Sequence, residues 1–241
     1  MSYAIIGDVH GCLEELKTLL GKLEGHQLVF VGDLVDKGPD SLGVLRLVRS
    51  LPDAIVVSGN HEEKASRQMK RGIAIEPWCE QATEEDWAYI DAMPLTWANG
   101  HVRVVHGGIF PALLEKHPDV FEKIEARGNA WRKGGGKAMN RARRMLRIRF
   151  VNEAGDMLAL HENGPDDPFW ADVYDGSQGF VVYGHSPWQD GQVRRAEHAL
   201  GIDTACVFGG RLTAAIVDGD KPISMVSVPA LKRYAEPLED D

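Results

Sequence analysis

The chain has 241 residues, enough for one substantial α/β domain and too few for two full ones. It is 44% hydrophobic and 26% charged, as ordinary soluble globules are, and its net charge of −9 argues against a general nucleic-acid binder, which needs a basic face. No basic and apolar leader precedes the first strand, no apolar run approaches transmembrane length, and Cys12, Cys79 and Cys206 are scattered outside any CxxC pair, so the expected setting is a reducing cytoplasm without membrane attachment.

In chain order, Tyr3 to Ile6 reads as a short strand ending in Gly7, and Cys12 to Lys22 as a helix with its leucines on one face. Leu28 to Val31 is a second buried strand, Ser41 to Val48 a helix entered through Pro39-Asp40, Ala54 to Val57 a third strand and Glu62 to Lys70 a third helix. This β-α-β-α-β-α order implies a largely parallel sheet. Thr83 to Met93 is helical, with Thr83 and Asp86 suggesting its cap. Val102 to Val105 returns to strand, and Pro111 to Ile124 reads as one helix. Asn129 to Arg149 then carries eight basic residues and no acidic one, interrupted by Gly134-Gly135-Gly136, a hinge or a close backbone approach. From Phe180 onward come the short strands 180–183, 193–196, 199–202, 212–217 and 223–228, with turns that suit antiparallel hairpins. The expected organisation is a single domain over 1–234 with a cap-like insertion at 111–178, followed by an acidic, disordered tail at 235–241.

Five stretches at the ends of these strands carry the chemistry. They are Gly7-Asp8-Val9-His10-Gly11, Gly32-Asp33-Leu34-Val35-Asp36-Lys37-Gly38, Gly59-Asn60-His61-Glu62, Val105-His106-Gly107-Gly108 and Tyr183-Gly184-His185. A lone Asp-x-His, or one histidine after a strand, is more often structural than a ligand. Five such stretches, each beside glycine, instead supply the oxygen and imidazole ligands of a site for two metal ions, with Asp33 the natural bridge. Asp8 and His10 lie two apart on extended chain and can point the same way. Asn60 and His61 are adjacent and divide into one ligand and one acid–base group.

GDVHG, GDLVDKG, GNHE, VHGG and YGH, in this order and with these gaps, resemble the metal-dependent phosphoprotein phosphatase (calcineurin-like metallophosphoesterase) superfamily. Similar motifs occur in bacterial serine/threonine phosphatases, symmetrical dinucleoside-tetraphosphatases and the phosphatase module of polynucleotide kinase-phosphatases. The resemblance covers roughly residues 3 to 217 and extends to Gly201–Ala214, where glycine is usual in place of Ala205. It implies an α/β fold, a four-layer α/β/β/α sandwich of mixed sheets with an inserted helical, cap-like middle segment. It also implies that Asp8, His10 and Asp33 hold a first metal, and Asp33, Asn60, His106 and His185 a second. His61 matches the proton donor and Asp36 the carboxylate that orients it. Lys37 stands where the resemblance expects an arginine phosphate clamp; lysine keeps the charge and loses the bidentate fork. A second phosphate-binding arginine is expected in the middle segment, with Arg132 first and Arg143 or Arg144 as substitutes.

The implied chemistry is in-line attack on phosphorus by a hydroxide bridging two divalent cations, Mn²⁺ first and Fe, Zn or Co as alternatives, with His61 protonating the leaving oxygen. The expected partner is a phosphorylated substrate, phosphoprotein or nucleotide. Phosphoserine/threonine protein leads, because Glu62 gives the GNHE form that looks more like the protein phosphatases. A dinucleoside polyphosphate hydrolase or nucleic-acid end phosphatase is the alternative. A degenerate phosphate-binding scaffold is the non-enzyme rival. Trp131, Trp170 and Trp188 could line a groove or fill a core.

Overall fold

A computed structural model describes residues 2–133, 136–188 and 191–237. Gly134 and Gly135 of the glycine run, and the tail from 238, lie outside the described residues. Ala235, at the start of the expected tail, hydrogen-bonds through its N–H to Val207 O at 3.2 Å.

Two five-stranded mixed sheets form the frame. In the first, β1 (Tyr3–Ile6), β2 (Gln27–Phe30) and β3 (Ile55–Val56) are parallel, while β9 (Arg211–Val217) runs antiparallel to β1 and pairs with β10 (Pro222–Pro229). In the second, β5 (Val102–Val105), β6 (Phe180–Tyr183) and β8 (Ala199–Gly201) are parallel, flanked by antiparallel β4 (Thr96–Ala98) and β7 (Arg194–Arg195). The hairpin expectation therefore holds for β9–β10 and β7–β8, whereas β6 and β8 run side by side in parallel.

Strand alternation sorts the core into layers. Ile5, Val29 and Val31 of the first sheet meet Val102, Val104, Val182 and Leu200 of the second between the sheets. Ala4, Ile6 and Phe30 face outward onto α1 (Leu13–Leu20) and α2 (Ser41–Ser50). On the far side Val105, Val181 and Tyr183 pack against the middle segment, including α6 (Pro111–Lys116), α7 (Val120–Arg127) and α8 (Gly136–Ala142). This is the α/β/β/α sandwich, and the segment from 111 onward supplies its fourth layer. Trp131 and Trp170 are fully buried there as core residues. No helix among the described residues is long and apolar enough to cross a membrane.

The helix expected over Pro111 to Ile124 is broken at His117, which precedes Pro118 and leaves the helical region with φ −144° and ψ 69°. α3 starts at Asn60 rather than Glu62 and runs Asn60–Met69, followed by α4 (Pro77–Gln81), too short to show an apolar period. α5 (Glu84–Ala92) opens with the Thr83/Asp86 capping box read from sequence.

Glu62, in the first turn of α3 and fully buried, clamps two loops. Its Oε2 accepts from the N–H groups of Asp33 (3.0 Å) and Gly59 (2.9 Å), and its Oε1 from Leu34 (2.7 Å) and Val35 (3.3 Å). It thereby ties the loop after β2 to the turn that starts α3. Ala205 lies at φ +60°, where a Cβ is strained and glycine is not.

Two stability outcomes follow from these positions. Glu62→Ala strips four buried donors of their acceptor and should cost about 3 kcal/mol or more in chemical denaturation, with Glu62→Gln costing less. Ala205→Gly relieves the left-handed strain against a smaller entropic loss, and should raise stability by roughly 0.5–1 kcal/mol in the same assay. A destabilised Ala205→Gly protein would show that the turn carries no strain.

Candidate metal centre and active site

The parallel strands β1, β2 and β3 all deliver their C-terminal ends to one edge of the first sheet. β5, β6 and β8 do the same in the second. Asp8, Asp33 and Asn60 follow the first three strands, and His106, His185 and Asp203 the second three. Such carboxyl edges are where open α/β sheets assemble their sites. His10, Asp33, Asp36, Lys37 and His185 all have φ between +46° and +69°. Strain of this kind persists only where surrounding structure over-determines it.

His10 therefore does not continue extended chain from Asp8; its φ of +46° turns it toward Asp33. Its Nε2 stands 3.6 Å from Asp33 Oδ2, and His106 Nε2 stands 3.3 Å from the same oxygen. His10 Nδ1–H donates to Val35 O at 2.9 Å and His106 Nδ1–H to Val31 O at 2.9 Å. A carbonyl only accepts, so each ring must carry a proton on Nδ1, which leaves Nε2 for a metal in the neutral imidazole. Asn60 Oδ1 lies 2.9 Å from His106 Nε2. Lone pairs thus converge on Asp33 Oδ2, and either a proton on His106 or a cation must lie among them. Burial opposes a charged His106, but Asp33 beside it outweighs burial and raises its pKa.

Two potential metal-holding triads share Asp33, one with His10 and His61 and the other with His106 and His185. His185 is held neutral by burial and by the neighbouring His106, as a ligand must be. Asp8 falls outside both triads, yet its Oδ1 is buried without a hydrogen-bond partner while Oδ2 accepts from His185 N–H at 3.0 Å. Burial, Asp203 and Asp33 push the Asp8 pKa well up. An orphaned carboxylate oxygen beside two further buried carboxylates is what a divalent cation satisfies. The donor set therefore fits metal, with Asp8, His10 and Asp33 on one side and Asp33, Asn60, His106 and His185 on the other. Glycine keeps the ligands close: a Cβ at Gly184 would lie 1.9 Å from Asp8 Oδ1, and one at Gly59 2.0 Å from Asp33 Oδ1.

Asn60 and His61 occupy the first turn of α3, where neighbours diverge by about 100°. Asn60 thereby faces His106, while His61 Nδ1 meets Asp36 Oδ2 at 2.7 Å. His61 N–H donates to Asp33 Oδ1 at 3.0 Å, placing a carboxylate at the positive end of the helix. Burial works against a charged His61, but Asp33 and Asp36 overcome it and its pKa is raised. Asp36 Oδ1 in turn accepts from Trp78 Nε1–H at 2.6 Å.

The substrate-binding expectations fare differently. Arg132 donates to Ser58 Oγ and to Ile90 O, at 2.7 and 2.9 Å, and stacks on Trp131. Arg143 donates to Arg132 O, and Arg144 to Asp156 Oδ1 and Met157 O. None of the three lines the clefts at the metal centre. Arg147 and Arg149 line them instead: Arg147 touches Asn60 O and Glu63, and Arg149 touches Ser186 Oγ and His185 O. Their signal in the sequence was the alternation Arg147-Ile148-Arg149, whose apolar member is buried. Lys37 lines both clefts, with Nζ 4.9 Å from the Phe208 ring centroid. Trp78 and Asp203 were missed as site residues; Trp78 carries no local pattern, while Asp203 lies in the Gly201–Ala214 stretch that was read only as part of the resemblance.

The inner cleft, about 210 Å³, opens over His10, Asp33, Arg149, His185 and Asp203. A larger groove of about 680 Å³ continues past His61 between Pro39–Leu42, Lys64 and α4. Lys37, Asn60, His61 and Arg147 belong to both.

A profile of the Calcineurin-like phosphoesterase family matches residues 1–217. A bis(5'-nucleosyl)-tetraphosphatase PrpE [asymmetrical] of Anoxybacillus flavithermus is 32% identical over 97% of this chain and 96% of its own. The protein of the same name from Halalkalibacterium halodurans is 32% identical over 95% and 94%. A crystal structure provisionally described as a diadenosine tetraphosphatase superposes with a TM-score of 0.71 at 28% identity, covering 95% of this chain and 93% of that one. A cold-active protein-tyrosine phosphatase of a Shewanella species shares the fold at TM-score 0.60 and 14% identity, over 95% and 80%. These relatives support a hydrolase over a degenerate scaffold. The chain belongs to the calcineurin-like phosphoesterase family and is a metal-dependent phosphatase.

Proposed function

We propose that this enzyme hydrolyses a phosphoanhydride bond of dinucleoside polyphosphates, bis(5'-nucleosyl) tetraphosphates above all, in a cytoplasmic setting. The observation that carries this reading is the groove of about 680 Å³ beside His61, large enough for a nucleotide leaving group and lined by Lys37, Lys64 and Arg147. The names of the relatives agree with it. Two divalent cations, Mn²⁺ by preference, would supply the Lewis acidity that activates water.

The residues divide the remaining work. Arg149 and Lys37, over the inner cleft, hold the phosphoryl group under attack, and Arg147 spans that cleft and the groove to bind the departing phosphates. Asp36 orients His61 through Nδ1, so that Nε2 gives its proton to the leaving oxygen as the P–O bond breaks. This donor also supports a second reading. A phosphoanhydride leaves as a weakly basic phosphate and needs the proton little, whereas the alkoxide of phosphoserine needs it much. The retained His61–Asp36 pair therefore favours some activity on phosphomonoesters, the phosphoserine/threonine class included.

Chelation should remove two metal ions per chain by elemental analysis and abolish aryl phosphate hydrolysis, with Mn²⁺ restoring it. Asp33→Asn should be the most damaging ligand change and should lower the content of both ions. Activity persisting in metal-free protein would overturn the two-metal reading. The substrate reading is tested by kcat/KM on diadenosine tetraphosphate against a phosphoserine peptide, with the dinucleotide expected to exceed the peptide by roughly tenfold or more. Arg147→Ala should lower kcat/KM on the dinucleotide by roughly 10–100-fold, as expected for a charge-assisted phosphate contact. A peptide preferred by the wild type, or a dinucleotide rate indifferent to Arg147→Ala, would sink this substrate assignment.

A further inference from the structure

We propose that Trp78 is a positioning residue for the proton donor, the third member of a Trp78–Asp36–His61 relay. The inference rests on the reading of His61 as the donor and is independent of which phosphate ester is the substrate. The two oxygens of Asp36 are used separately: Oδ1 accepts from the Trp78 indole N–H at 2.6 Å, and Oδ2 meets His61 Nδ1 at 2.7 Å. With one oxygen anchored, the carboxylate cannot rotate about Cβ–Cγ without breaking a buried bond. The Asp36 backbone is held too, its N–H donating to Ser41 Oγ at 2.9 Å while φ sits at +69°. The plane in which His61 is presented is therefore set by three partners rather than one.

The chemistry of indole suits this task. It donates and never accepts, so it cannot compete for the His61 proton. Trp78 is 8% exposed and stacks on Trp87 with centroids 5.4 Å apart and planes at 28°. Its N–H is thus delivered from a packed pair. α4, which carries Trp78, also contributes Pro77 and Gln81 to the groove, so one short element borders the leaving group and holds the acid that protonates it.

The test uses the metal-loaded enzyme and a series of substituted phenyl phosphates of increasing leaving-group basicity. Trp78→Phe keeps the stack and removes the donor. It should lower kcat on phenyl phosphate roughly tenfold, the scale of a buried hydrogen bond to a charged group, and on 4-nitrophenyl phosphate by less than about twofold. KM and metal content should stay at wild-type values. In a His61→Ala background, Trp78→Phe should cause no further loss, because residues acting through one group are non-additive. A uniform loss across the series, or an added loss in that background, overturns the relay and leaves Trp78 a packing residue. Should Trp78→Phe prove unstable, replacing the indole by isosteric benzothiophene removes only the N–H, and the same two outcomes decide. If His61→Ala itself shows no dependence on the leaving group, the donor assignment falls and this inference with it. An intact donor without coupling overturns the inference alone.

Discussion

The carboxylate of Glu62 is the constraint on which the site depends. Four backbone N–H groups from two separate loops point at its two oxygens in a region sealed from water. Those donors have no other route to satisfaction, and a buried donor left bare costs more than a made bond returns. The clamp fixes the height of Asp33 relative to the start of α3. That in turn fixes Asn60 on one side of the helix axis and His61 on the other. The proposed metal ligand and proton donor are thus both set by one interaction to which neither side chain contributes.

The buried carboxylates of the centre cost free energy that only facing charges or cations can offset. Asp8, Asp33 and Asp203 are all buried, and burial pushes Asp203 up to about 6. Asp33 stays ionised against its burial because His106 and His61 face it. Divalent cations held at Asp33 would take over that compensation, leaving His106 free to be a neutral ligand while His61 keeps its proton against Asp36. Metal affinity and fold stability are therefore linked quantities here, and a change at Glu62 that never reaches a ligand should be felt in both.

Much of this was legible from the chain alone. The strand ends carrying Asp8, Asp33, Asn60, His106 and His185 each combine an apolar run, a glycine and a polar residue, and close packing demands all three. What strand periodicity cannot supply is the pairing across the sheets, so β6 and β8 lie parallel where short adjacent strands suggested hairpins. Helix α4 has five residues and no period to detect. The basic segment was visible as composition, but composition does not distinguish an arginine spent on Asp156 from one turned into the cleft. Arg141 and Arg144 do the former, and Arg147 and Arg149 the latter. What separates the latter pair is their place in the fold, after the 3-10 turn that ends at Leu146.

The same distinction governs what can be said of substrate. Glu62 differs between branches that resemble this chain, and for that reason invited a reading as a specificity mark. Its oxygens are wholly occupied by backbone, so it has nothing left to offer a ligand. Discrimination between a phosphoprotein and a dinucleotide must come from groups that meet the leaving portion, and those line the groove beyond His61: Lys64, Gln81 and the loop from Pro39 to Leu42. None of them belongs to a ligand motif. A metal-binding site can thus be written in five glycine-flanked stretches while the choice of substrate is written in scattered surface positions, which is why the reaction class was readable from the sequence and the preferred substrate was not.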